Sequence, residues 1–313
     1  MGLYWEPCPG GARLLRLLGD TPCPAVPGTI EGLPVAELGP YCFADRPVRP
    51  GARRTGDDTH EITGNFVEEV TLPDTVRVLD SAAFYNCRRL RRLTAGTGER
   101  TMGSDVFLNC FALETLVIRA RPEQATGLFA LAGSITEAVQ ALFWPEGEAQ
   151  PLAGLWYPAY WEDIEETPAH ILLHTFSGQG YHYRQCFLNG KFLPVEYDAI
   201  FPQGHDADDA NIMAMLCFDR LHWPWSLSSA AAEHYRAFLA ANTGRVLARL
   251  LKAQDMDGLR ALLALDVFDK DAFAAGAALA AKADNASAAA LLADAEHKKF
   301  AARPNKKRYD FDF

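Results

Sequence analysis

Residues 66–118, FVEEVTLPDTVRVLDSAAFYNCRRLRRLTAGTGERTMGSDVFLNCFALETLVI, carry one pattern twice at a spacing of 23 residues. Ala83-Phe84-Tyr85-Asn86-Cys87, followed by Leu90 and Leu93, returns as Val106-Phe107-Leu108-Asn109-Cys110, followed by Leu113 and Leu116. The half-pattern Val67, Val70, Leu72 precedes both copies and matches Leu113, Leu116, Ile118. A fixed period of this length predicts stacked coils, none of which buries its apolar side alone.

Each residue type in the period has a physical task. Val67, Val70 and Leu72 predict a short strand, with the next coil stacked about 4.8 Å away. Pro73 closes that strand because it cannot donate to the ladder. Phe84 and Phe107 are core residues, and Asn86 and Asn109 suit a bend where asparagine tolerates unusual dihedrals. Cys87 and Cys110, at one repeat position, read as small buried hydrophobes.

Outward from this stretch, Ala25-Val26-Pro27-Gly28-Thr29-Ile30 parallels Thr71-Leu72-Pro73-Asp74-Thr75-Val76, and Phe43 aligns with Phe84. Residues 1–45 are therefore expected to form an irregular first coil. Residues 46–63, RPVRPGARRTGDDTHEIT, are polar, rich in Pro and Gly, and predict a loop inserted into one coil. The pattern VxxLPxxVxxLxxxAFxNCxxLxxL resembles the BspA-like, or treponemal-type, leucine-rich repeat over roughly residues 20–120. That resemblance implies a typically bacterial family associated with binding and adhesion rather than catalysis, many of whose members are exported.

Residues 121–227 are expected to be a mixed segment. Residues 135–145 are helix or strand closed by Pro145, His170–Phe176 is a strand, and Tyr181–Phe187 continues after a turn at Ser177–Gly180. Asn189-Gly190 is a further turn, and a helix runs from the acidic cap at Asp206–Asp209 to Leu221. Residues 228–300 predict helices over 228–241, 243–253, 256–265, 270–281 and 285–299, an array that resembles degenerate ankyrin-like repeats. Residues 301–313 read as a flexible tail. The expected fold is thus α+β: a short leucine-rich-repeat β-solenoid stack over 1–120, a mixed segment, and a C-terminal α-helical repeat array.

The net charge is −10, and the middle third holds the excess, with 5 basic and 15 acidic residues over 121–240. An acidic surface argues against nucleic acid and anionic lipid as partners. No apolar run approaches the roughly 20 residues that span a bilayer, so no membrane insertion is expected. MGLYWEPCPGG lacks the basic and apolar regions of a secretory leader, which predicts a cytoplasmic protein, or a cell-surface one if such a leader has been removed. Seven scattered cysteines without a CxxC pair exclude a zinc ribbon and a thioredoxin motif.

Chemistry-bearing candidates are few. His170 with His174, and His182 with Cys186, have metal-ligand spacing only on a helix, and no metal or cofactor is expected. Gly178-Gln179-Gly180 reads as a turn rather than a dinucleotide loop. Cys186 with a histidine and Asp198 would make a nucleophile set, the basis of a rival reading as an enzyme with its site in 155–200. His205-Asp206 with Asp208 and Asp209 reads as a helix cap rather than a cation loop. Two groups point to binding: the basic run Arg88, Arg89, Arg91 and Arg92, and an exposed aromatic platform of Trp156, Tyr157, Tyr160 and Trp161. The sequence reading is a non-enzymatic protein–protein interaction or scaffold protein, with a secreted adhesin as a further alternative.

Overall fold

The computed structural model describes residues 2–167 and 170–301, with side chains except at 163–167, 170–174 and 207. Contacts divide the chain into Met1–Ala232 and Glu233–Phe313.

The first unit opens not with an irregular coil but with an antiparallel hairpin, β1 (Gly2–Cys8) and β2 (Gly11–Leu18). Next comes β3 (Thr29–Ile30), followed by β4 (Leu33–Leu38), which pairs parallel with β2. The inserted stretch is not wholly loop: β5 (Arg53–Thr55) pairs with β1, and Thr55 Oγ1 accepts from Trp5 Nε1 at 3.2 Å. Arg16, buried, holds the two ends of the insertion together. Its Nη1 meets Glu61 at 2.6 Å, and its Nη2 donates to the carbonyls of Tyr41 and Arg46.

The repeat then sets two parallel sheets. β6 (Glu69–Thr71), β8 (Arg92–Ala95) and β10 (Thr115–Ile118) align at the predicted 23-residue step, Glu69 on Arg92 and Arg92 on Thr115. β7 (Val78–Leu79) and β9 (Thr101–Met102) repeat the step in the second sheet, where Leu38 lies on Leu79 and Leu79 on Met102. Val70, Leu93 and Leu116 form one buried inner row. Phe43, Phe84 and Phe107 form another, with ring centroids 5.0 and 5.4 Å apart. Cys87 donates from Sγ to Phe43 O at 3.3 Å, and Cys110 to Phe84 O at 3.0 Å. The cysteines therefore tie each coil to the preceding bend as well as filling space.

The stack does not end at residue 120. After α1 (Leu128–Gly133), β11 (Val139–Phe143) continues the parallel register, Thr115 on Gln140. The expected boundary therefore falls inside one sheet. β12 (Ala153–Tyr157) then pairs antiparallel with β11 and ends the parallel run, as the β1–β2 hairpin does at the other end. β13 (Trp161–Thr167) and β14 (His170–Ser177) form a separate hairpin. Tyr181–Phe187 does not continue as a strand: α2 (Gly180–Arg184) begins at once. Then follow β15 (Phe187–Leu188) and β16 (Lys191–Phe192), turned at Asn189 and Gly190 with φ of 50° and 72°. These positive dihedrals are the ones an Asn-Gly turn supplies at least cost.

α3 (Pro194–Gly204) and α4 (Ala210–His222) close the unit, and Asp209 caps α4 by accepting from the amides of Asn211 and Ile212. α4 lies against β12, where Asp219 Oδ2 accepts from Trp156 Nε1 at 2.8 Å and Gln140 Nε2 at 2.5 Å. Gly154 leaves room for Trp223, whose ring carbon would stand 2.5 Å from a Cβ there.

The helix α5 (Ser229–Ala253), whose residues from Glu233 on belong to the second unit, bends at Asn242, near the predicted break. α6 (Met256–Ala264), α7 (Lys270–Lys282) and α8 (Ala286–Phe300) follow the predicted spans. The connectors repeat one device. Gln254 (φ 54°) precedes the N-cap Asp255, and 30 residues later Asp284 (φ 50°) precedes the N-cap Asn285. A left-handed residue ends one helix and a short acceptor side chain starts the next, giving two helix–turn–helix pairs of like construction.

Candidate interaction surface

The bends that join the two sheets are the most regular exposed feature of the first unit. Each opens with a residue at positive φ (Tyr41 57°, Ala82 56°, Asp105 57°), and the two later bends close with another (Asn86 62°, Asn109 65°). Between these points the bends hydrogen-bond to one another: Phe43 N to Ala83 O, Phe84 N to Val106 O and Asn86 N to Leu108 O. The side chains at the closing corner pair too, Asn109 Nδ2 donating to Asn86 Oδ1 at 2.7 Å. A backbone so fully bonded holds its outward side chains in fixed register.

Those outward side chains are large and apolar. Leu108 is 46% exposed and Phe111 64% exposed. Tyr41, also exposed, meets Tyr85 edge-on at 6.4 Å between centroids. The 23-residue step sets Leu108 beside Tyr85 and Phe111 beside Arg88. The sequence pattern AFxNCxxL marks these x positions as solvent-facing. That two of them carry Leu108 and Phe111 is the signal in the sequence, masked by the stronger periodicity of the repeat's core residues.

The predicted basic run is exposed at all four positions, but only half of it is free to meet a partner. Arg89 and Arg91 both close on the Glu68 carboxylate, Arg91 at 2.7 Å. Arg88 and Arg92 have no ion pair among the described residues, so the local charge that remains belongs to them.

The predicted aromatic platform is not a platform. Trp156 and Tyr157 are 2% and 0% exposed and Tyr160 is buried; Trp161, 67% exposed, stands alone of the four. Strand β12 turns Trp156 toward Asp219 and Tyr157 toward Tyr197, whose ring lies edge-on at 6.2 Å. The guanidinium of Arg184 lies 5.0 Å from the Tyr160 ring. The cluster packs segments together: Trp156 Nε1 finds an interior partner in Asp219, and the Tyr157 ring is enclosed by its neighbours although its hydroxyl has no hydrogen-bond partner among the described residues.

Among the described side chains, the residues of the rival enzyme reading do not form a nucleophile–base–orienter set. Cys186 is buried, its Sγ faces the His182 carbonyl at 3.5 Å, and burial, with Glu196 and Asp198 nearby, pushes the thiol up to about 12. A thiol so held is not a nucleophile at neutral pH. The His182 side chain is exposed, and Asp198 is committed to Arg220 through two bonds of 2.9 and 2.8 Å. The side chains of His170 and His174 lie outside the described residues. Asp208 accepts from Gln179 N at 2.9 Å and Asp209 caps α4. Gly180 opens the five-residue α2, and a Cβ there would stand 2.1 Å from the Pro158 carbonyl oxygen and 2.8 Å from that of Ala159, so this glycine serves a close backbone approach within the fold.

Residues 62–135 match a family described as a BspA type leucine rich repeat region of six copies. That stretch is a BspA-type leucine-rich repeat region. The 23-residue strand register, the stacked phenylalanines and the asparagine corner are how this chain builds it. A solved leucine-rich repeat protein from T. pallidum is similar at 22% identity with a TM-score of 0.26, over 37% of this chain and 50% of that one. The match thus spans half the length of that protein. No curated protein matches the chain. Among the described residues no helix is long and apolar enough to cross a membrane.

Proposed function

We propose that the chain is a non-enzymatic protein-recognition module whose leucine-rich repeat bends dock a partner segment. Phe111 carries the proposal: a large apolar side chain, 64% exposed, directly after a bend that is hydrogen-bonded to the preceding coil through Val106 O, Leu108 O, Asn109 Nδ2 and Cys110 Sγ. Rigid apolar anchors lose little conformational entropy on binding, and they dominate interface energetics where a few residues are fully desolvated. Leu108 extends the apolar strip, and Arg88 and Arg92 border it with positive charge. The partner that fits is a protein segment presenting an apolar side chain beside acidic ones. Charge of this kind steers association and fixes register more than it adds affinity.

The test is affinity capture with the intact chain against Phe111→Ala and Arg88→Glu variants. Selective loss of the same protein from both variants supports the reading, and an unchanged captured set overturns it. The helix–turn–helix pairs of the second unit supply a further surface of repeating construction, consistent with a scaffold role.

A further inference from the structure

The row of bends has two ends, and they differ. Within the row, amides of one bend donate to carbonyls of the next: Tyr41 N to Ser81 O, Phe43 N to Ala83 O, Ala82 N to Ser104 O, Phe84 N to Val106 O and Asn86 N to Leu108 O. One repeat after Ala82, Phe84 and Asn86 stand Asp105, Phe107 and Asn109, and their amides have no hydrogen-bond partner among the described residues. Asn86 Oδ1 accepts from Asn109, whereas Asn109 Oδ1 accepts from no described group. The strands continue past this point, since β11 lies on β10, but the chain supplies no further bend: residues 128–133 form α1 instead. The opposite end is closed. Arg16 reaches from β2 to the carbonyls of Tyr41 and Arg46, and Cys42 and Phe43 are fully buried.

A cavity of about 270 Å³ lies where the next bend would stand, with residues 105–109 and Phe111 on one side and Ser134, Thr136 and Glu137 on the other. The three amides point along the stack into this space, as those of each earlier bend point to its successor. Asp105 and Glu137 are exposed and have no ion pair among the described residues, so the cavity is negative. Two carboxylates exclude a free anion as the occupant and leave neutral carbonyl oxygens as the acceptors that fit. We infer that the cavity takes a peptide segment of another protein, which supplies carbonyls in register to Asp105, Phe107 and Asn109 and a lysine or arginine side chain to Asp105 and Glu137. Main-chain bonds to an open edge give affinity, and the side chains give specificity. A second copy of this chain does not fit at either end: its first bend is closed, and its last bend would set donor against donor. The inference rests on the reading of the bends as a docking surface, and adds where the partner's backbone lies and which charge it carries there.

The probe is an end-capped peptide copying residues 103–111 with Asp105→Lys and Cys110→Ser, since the repeat step sets its lysine beside Asp105 of the chain. It is titrated into the full chain and followed by amide NMR shifts. The expected result is saturable binding with a Kd below about 10 mM and the largest shifts at Asp105, Phe107 and Asn109. Thr136→Trp, at an exposed position whose larger side chain fills the cavity, weakens binding about tenfold or more, and Glu137→Lys about threefold or more. Arg88→Glu, outside the cavity, does not weaken it. In the free protein the Phe107 amide is expected to exchange with solvent about tenfold or more faster than that of Phe84. Binding lost in Arg88→Glu but kept in folded Thr136→Trp leaves the bend reading standing and overturns this one. No saturable shift up to about 10 mM, unchanged affinity in Glu137→Lys, or a Phe107 amide as protected as that of Phe84 also overturns it.

Discussion

The Nδ2 of Asn109 donates to the Oδ1 of Asn86 at 2.7 Å, and both residues hold left-handed backbone, φ 65° and 62°. The repeat thus places asparagine where two demands coincide: a tolerated positive φ and a side chain that bonds along the stack. Asn86→Ala loses both and is expected to cost about 2–3 kcal/mol, combining about 1–2 for the dihedral with about 1 for the bond. Asn86→Gly keeps the dihedral and is expected to cost about half as much. Urea denaturation of the two variants checks this, and equal losses would show that the dihedral carries no share.

Thiol reactivity reads out the cysteine placement. Cys23 is exposed, whereas Cys42, Cys87, Cys110, Cys186 and Cys217 are buried, and burial raises the thiol pKa of all five. In the native protein a colourless-disulfide titration is expected to modify Cys23 fast and Cys8 slowly. The other five should react only after unfolding. Fast native reaction at Cys87 or Cys110 would contradict the coil packing.

Asp208 predicts a pH effect with a definite sign. Its pKa is raised by burial, against the lowering effect of the bond from Gln179 N. Between the unfolded aspartate value of about 3.9 and the raised folded value, the native state binds more protons than the unfolded one, so stability falls as pH rises. Asp208→Asn keeps an oxygen to accept from Gln179 N and removes the charge. It is expected to flatten the fall in that window and to raise the melting temperature at neutral pH. A steeper fall would refute the assignment.

Arg220 and Asp198 are both buried, at 0% and 6% side-chain exposure. Arg220→Ala leaves a carboxylate without its counter-charge and is expected to cost about 3–5 kcal/mol. The double change Arg220→Met with Asp198→Asn is expected to recover much of that loss. A double-mutant cycle by chemical denaturation measures the coupling.

The repeat is legible in the sequence because one period encodes strand, bend and core together, so Phe43, Phe84 and Phe107 align by residue pattern alone. The helices of 229–300 are legible for a similar reason, since Asp255, Asp269 and Asn285 announce each start. The ends of the stack are not. The β1–β2 hairpin and β12 join through antiparallel pairs and carry no repeat signature, because a capping strand needs only one face that fits. Trp156 and Tyr157 read as exposed in the sequence because aromatic composition is the same on a surface and in a core. Only Asp219 and Tyr197, 63 and 41 residues away, decide which. Arg100 is silent in the sequence: an arginine one repeat after Arg77 looks like surface charge until its corner is seen to be roofed by Gly127.

The recognition role is tested most directly at Phe111. A photo-crosslinking aromatic amino acid placed at Phe111, and at exposed Phe129 as a control outside the bends, is irradiated in the native cell with the intact chain. The account predicts one discrete protein adduct from position 111, lost when Arg88 and Arg92 are changed to Glu, and none of that adduct from position 129. The same adduct from both positions, or an adduct from 111 that survives the charge reversal, would contradict docking on the bend surface.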